Sequence, residues 1–284
     1  MKIRIKFEKF GTICYIGHLD IMRYFHKALQ RAHIDVSFST GFHPHPIMSF
    51  ASPLGVGLSS CGEYMDVEVG SVRPGQAMLD AINAEMVDGM RVTGVRLLPE
   101  EGRKNNAMAT VGQADYRVWV PALIGEDYRA TSGALYEPKK VTYLTSTGEA
   151  CMTEGSDSSY DPAYDAVGRT AAAITMADRD WSADVEHFLA SEEILIHKKT
   201  KKSETDVNIR DWILKFAYEP DSQSFFLRLT AGSMNNLKPE LMMDAFFRYL
   251  GIDLDGSRMT LDICRLDMLT EDGVSLGELG EEIL

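Results

Sequence analysis

Lys2-Ile3-Arg4-Ile5-Lys6-Phe7 opens the chain on a strict alternation of cationic and apolar side chains. Successive side chains of a strand point to opposite faces, so this run predicts a strand that buries Ile3, Ile5 and Phe7. Glu63-Tyr64-Met65-Asp66-Val67-Glu68-Val69 alternates in the complementary sense and predicts a second such strand. Laid side by side, the two place Lys2, Arg4 and Lys6 on one face with Tyr64, Asp66 and Glu68. Cross-strand pairing then neutralises much of that face.

The elements around these strands complete a small pattern. From His18 to His33, Leu19, Met22, Phe25, Leu29 and Ala32 recur at steps of three and four, the spacing of an amphipathic helix. Val36–Ser39 reads as a strand and Gly41–Gly62 as an irregular Gly/Pro stretch. Pro74 opens a helix to about Met86, because proline is tolerated in a first turn. Arg91–Leu98 supplies a closing strand. The order β-α-β-β-α-β over residues 1–100 is the split βαβ pattern of a ferredoxin-like domain. Helices cover one sheet face there, so Lys2, Arg4 and Lys6 are expected on the open face.

The second half repeats part of this pattern. Asp88-Gly89-Met90-Arg91-Val92-Thr93 matches Asp255-Gly256-Ser257-Arg258-Met259-Thr260 as Asp-Gly-x-Arg-x-Thr. Upstream, Arg73-Pro74 before Met78-Leu79-Asp80-Ala81 matches Lys238-Pro239 before Met242-Met243-Asp244-Ala245. Two signatures in one order suggest an internal duplication. Tyr116–Val120, Ala177–Ala190, Glu193–Lys199 and Ser224–Thr230 supply elements of the copy, with Val207–Tyr218 as an added strand. The expected fold is therefore α+β, two tandem ferredoxin-like domains. The first spans 1–100 and carries the His/Pro loop; the second spans 114–270, with an insertion at about 122–176 where hairpins are expected. Residues 271–284 form an acidic tail.

Composition narrows the function classes. The 284 residues carry 29 Lys and Arg against 42 Asp and Glu, a net charge of -13. Bulk repulsion disfavours indiscriminate nucleic-acid binding. The charge is uneven: residues 1–50 sum to +4 and hold five of the seven histidines, leaving −17 for the remainder. No apolar run is long enough to span a bilayer, and the first residues build no apolar signal core. A cytoplasmic protein without membrane contact is expected. Cys14, Cys61, Cys151 and Cys264 lie too far apart for a zinc knuckle or a compact iron–sulfur motif, and read as reduced thiols.

Four constellations are candidates for chemistry, each with a structural alternative. In Ser39-Thr40-Gly41-Phe42-His43-Pro44-His45-Pro46, alternate prolines hold the chain extended and set His43 and His45 to one side. They suit a polar ligand, RNA, or more weakly a metal ion completed by His18 or Glu63; the leading structural reading is a rigid loop that packs on the sheet. In Gly17-His18-Leu19-Asp20-Ile21-Met22-Arg23, a helix N-terminus holds an anion and a neighbouring histidine serves as acid or base, although capping alone accounts for Asp20 and Arg23. Arg23, Lys27 and Arg31 form an i, i+4, i+8 stripe. Lys198, Lys199, Lys201, Lys202 and Arg210 form a cluster suited to phosphate or to a solvated hairpin tip. His18 and His43 are the catalytic candidates if the chain is an enzyme.

The run Gly17–Arg23, then Ala28-Leu29-Gln30-Arg31-Ala32 and Ser39–Pro46, resembles the radical SAM-linked protein family, a bacterial domain of unknown function. Ser49-Phe50-Ala51, Pro53-Leu54 and Gly62-Glu63-Tyr64-Met65-Asp66 resemble it too, as do Lys198–Arg210 and Asn236–Arg265. The segment Asp206-Val207-Asn208-Ile209-Arg210 departs from the direct Asp-Ile-Arg expected there. The resemblance implies a partner: a radical SAM enzyme, encoded separately or fused, that supplies SAM and the iron–sulfur cluster. This chain would bind no cofactor itself, and structured RNA is the implied shared substrate. The expected function is an accessory or substrate-binding protein in tRNA or rRNA modification. The alternative is an RNA endonuclease of tandem ferredoxin-like type using histidine as acid and base.

Overall fold

Ile3, Ile5 and Phe7 are each at most 2% exposed, and around them the first half of the chain is organised. The computed structural model describes residues 1–99, 106–120, 141–144, 150–153, 179–199, 204–232, 235–252, 254 and 261–284. The fold is mixed α+β, with two units. The first contains Met1–Ala114, Leu144–Glu149 and Arg265–Leu284; the second contains Asp115–Tyr143 and Ala150–Cys264.

In the first unit, β1 (Lys2–Lys9) is followed by a 3-10 turn and α1 (His18–Arg31), then β2 (Met48–Phe50) and β3 (Ser59–Glu68). After these come α2 (Gly75–Asn83) and β4 (Met90–Leu98). β1 lies between β3 and β4 and runs antiparallel to both, and β2 pairs antiparallel with β3. The strand order β2-β3-β1-β4 thus carries the β-α-β-β-α-β sequence. Register follows the charge pattern: Lys2 opposes Glu68, Arg4 opposes Asp66 and Lys6 opposes Tyr64. On the other face, Ile3, Ile5, Phe7, Met65 and Val67 form a core with Phe25 and Leu29 of α1 and Met78 and Ile82 of α2.

Two expectations are corrected here. Val36–Ser39 makes only single bridges, Val36 to Val69 and Phe38 to Pro46. The strand is Met48–Phe50 instead, inside the stretch read as irregular, where Met48, Ser49 and Phe50 pair with Val67, Asp66 and Met65. Nor is the cationic face of β1 open. Arg4 is 2% exposed, its guanidinium gripping Asp66 at 2.8 and 3.0 Å and reaching the Leu276 carbonyl. Asp66 also accepts the Ala107 N–H at 2.7 Å, from the N-terminus of α3 (Ala107–Thr110). From Arg265 onward, β12 (Asp262–Leu269) pairs with β3, and β13 (Glu281–Glu282) pairs with β4.

In the second unit, β11 (Ser224–Thr230) lies between β10 (Ile213–Glu219) and β5 (Gln113–Trp119). α4 (Ser182–Leu189) and α5 (Pro239–Tyr249) bury Phe188, Phe246 and Phe247 against Trp181, Phe216 and Phe225. Arg228 holds Asp115 through two hydrogen bonds of 2.7 and 2.8 Å. The stretch read as one added strand is broken: β9 (Glu204–Asn208) ends before a 3-10 turn at Arg210–Trp212, and β10 follows. β8 (Leu195–Lys199) pairs with β9 in a separate two-stranded sheet. Within the presumed insertion, β6 (Val141–Leu144) pairs with β7 (Ala150–Thr153). The second Asp-Gly-x-Arg-x-Thr copy lies outside the described residues. Among those residues, no helix is long and apolar enough to cross a membrane.

Candidate functional site

β1 and β3 pair in one register as far as Phe7 opposite Glu63, then slip by a residue so that Lys9 opposes Ser60. Such a bulge re-aims the side chains that follow it. Lys9 is turned inward and is 3% exposed. Its ammonium donates to the Ile16 carbonyl at 3.1 Å, in the turn that leads into α1. Burial pushes its pKa below the ordinary lysine value, while the nearby Glu63 carboxylate pulls the other way.

Glu63 stands on the apolar side of β3, one inward step beyond Met65, and is 4% exposed. A buried carboxylate needs a partner, which Arg265 provides. Its Nε donates to Oε1 at 2.8 Å and its Nη2 to Oε2 at 2.6 Å, and Nη2 also reaches the Ser52 carbonyl at 2.8 Å. This paired, fork-like geometry fixes the carboxylate plane.

His18 is the first residue of α1, after an N-cap glycine that provides no side-chain cap. Its ring meets Phe50 edge-to-face at 5.0 Å. Partial burial lowers its pKa below the ordinary 6.5; Glu63 opposes this and Lys9 adds to it. Burial therefore favours the neutral imidazole.

These groups line one recess: Phe7, Lys9, His18, Ile21, Phe50, Ser52, Pro53, Leu54 and Glu63, enclosing about 20 Å³. That is room for one water-sized group. One wall is aromatic and aliphatic. The other offers an ammonium, an imidazole and a clamped carboxylate. Such a set can bind and orient a single polar atom, or exchange a proton with it.

The candidate residues are distributed unevenly about this recess. His18 and Glu63 line it together. Asp20 and Arg23 are exposed and pair with each other at 3.0 Å. Lys27 is exposed, and Arg31 is tied to Glu85 at 2.6 Å, so two of the three stripe cations are already neutralised. His43 and His45 sit exposed on their loop and do not line the recess; the His45 ring lies 2.9 Å from the Ser39 hydroxyl. Lys198 and Lys199 belong to β8, opposite Thr205 and Glu204. Lys201 and Lys202 lie outside the described residues. Arg210 donates to the Leu189 carbonyl at 3.0 Å and so closes the end of α4. Among the described residues, no three His, Cys, Asp or Glu side chains group as metal ligands.

Lys9, Arg265 and Ser52 were not among the sequence candidates. A signal for Lys9 exists: Ile3, Ile5, Phe7 and Lys9 are the odd positions of β1, so the inner face ends in a charge. Val69, Val67, Met65 and Glu63 end the facing strand in the opposite charge. Arg265 has no comparable local signal.

A search of curated proteins returns no match. A family model matches residues 2–239, most of the chain and all of the recess except the Arg265 clamp. The chain therefore belongs to the family described as uncharacterized protein conserved in bacteria (DUF2344).

Proposed function

We propose that this chain is an accessory, substrate-binding protein that acts in the cytoplasm with a separately encoded radical SAM enzyme, on tRNA or rRNA. The observation that supports the reading is a convergence. His18, Phe50, Pro53, Leu54 and Glu63 come from four separate motifs of the resemblance, and all line one recess. Motif residues that meet at a concave polar site suit ligand binding better than scattered packing. On this reading SAM and the iron–sulfur cluster reside on the partner. The first unit is a ferredoxin-like module and the second an elaborated copy of it. Affinity purification of the tagged chain, with RNA crosslinked in the cell, tests the proposal. Recovery of the radical SAM enzyme and of specific RNA is expected. Recovery of neither, with the enzyme's modification intact in cells lacking this chain, overturns it.

A second reading, an RNA endonuclease, is favoured by one detail: the His18 imidazole and the buried Lys9 ammonium line one recess, a pairing suited to moving a proton off a hydroxyl. RNA cleaved by the purified chain in chelator, and left intact by His18→Ala, is the expected outcome on that reading. Intact RNA with both proteins rejects it.

A further inference from the structure

The recess holds a donor with capacity to spare. Lys9 lines it and is 3% exposed, and Glu63, the carboxylate on the same wall, is already clamped by Arg265. Among the described residues, the Lys9 ammonium makes one hydrogen bond, to the Ile16 carbonyl, although it has three protons to donate. The amino end of α1 starts at the same place, adding partial positive charge where Gly17 offers no side-chain cap. A buried donor with spare protons beside a helix N-terminus selects an anionic oxygen. The space takes one oxygen of such a group while the rest stays outside.

We infer that the recess is a phosphodiester site for RNA: Lys9 Nζ and the His18 ring, which line it together, donate to one phosphoryl oxygen. The inference rests on the proposed RNA substrate and assigns it a place on this chain.

Titration of the full chain with the dinucleotide ApA, and separately with adenosine and with acetate, tests it by calorimetry. ApA is expected to bind, adenosine and acetate to bind far more weakly, and Lys9→Met to weaken ApA by about tenfold or more, the loss of a charge-assisted donor. Because Lys9 is buried, His18→Gln on the half-buried helix start serves as the second variant, with an expected loss of several-fold. Equal binding of adenosine and ApA, equal binding of acetate, no binding of ApA, or unchanged binding in a folded His18→Gln each overturns the inference. If ApA fails while the radical SAM enzyme still co-purifies with RNA, this site is wrong and the broader reading stands. If ApA binds but no enzyme or RNA is recovered from cells, the reverse holds.

Discussion

Arg265 clamps Glu63 through two buried hydrogen bonds of 2.8 and 2.6 Å, across 202 residues of sequence. Neither side chain is more than 5% exposed, so each neutralises a charge that the interior would otherwise reject. Arg265→Met leaves Glu63 buried and unpaired. Urea unfolding should show a loss of about 3–5 kcal/mol, with Glu63→Gln in the same chain recovering part of it. A loss no greater in the single variant than in the double one would contradict the pairing.

His18 should titrate below the ordinary histidine value of 6.5, chiefly because burial disfavours its charged form. Proton NMR of the ring reads this directly. The linked effect has a definite sign. As pH falls below 6.5 the unfolded chain takes up the proton before the folded chain does, so stability declines between 6.5 and the lower folded value. Exchanging His18 for Gln should remove that part of the decline.

Tyr64 donates its hydroxyl to Asp267, which also accepts from Ser275 at 2.7 Å and from the Met268 N–H at 3.0 Å. Burial, then the Asp267 charge, pushes the phenol pKa far above its usual 10.0. The folded chain keeps the phenol protonated where the unfolded chain ionises, so stability should fall as pH rises above 10. Tyr64→Phe is expected to cost about 1–2 kcal/mol at neutral pH and to flatten the alkaline fall. Denaturant melts at pH 7 and above pH 10 compare the two.

Gly62 and Gly94 both sit in strands of the first unit and should respond oppositely to alanine. A Cβ on Gly62 would lie 2.5 Å from the Leu266 carbonyl oxygen and 2.6 Å from the Asp267 Cα, and neither backbone atom can swing away. A Cβ on Gly94 would meet the Lys6 Cβ at an ordinary 3.7 Å. Gly62→Ala should cost about 1–3 kcal/mol or more. Gly94→Ala should be neutral or slightly stabilising, and thermal unfolding of the two variants decides.

The pairing of β1 with β3 was legible because it depends on local alternation: Lys2, Arg4 and Lys6 meet Glu68, Asp66 and Tyr64 in the register their charges imply. The α1 helix was legible for the same reason. Burial of Arg4 was not, because its guanidinium reaches the Leu276 carbonyl and its partner Asp66 is capped by the Ala107 N–H, and no periodicity in residues 2–7 reports on residues that distant. His18 and Glu63 could be named as candidates from their motifs. Lys9 was legible only as the charged end of the inner parity Ile3, Ile5 and Phe7, and Arg265 was hidden by the length of chain between it and Glu63. The His43/His45 loop has a distinctive local pattern, and the fold leaves both residues exposed and outside the recess lining.

The first unit is closed by residues from Arg265 onward, which follow the whole second unit in the chain. Synthesis runs from the N-terminus, so β1, α1, β3 and β4 emerge from the ribosome long before Arg265 exists to clamp Glu63. During that interval the nascent half carries a buried carboxylate without its clamp and a stretch of β3 without its β12 neighbour, both invitations to chaperones or to premature association. A gene truncated just before codon 265 would freeze the protein in that state.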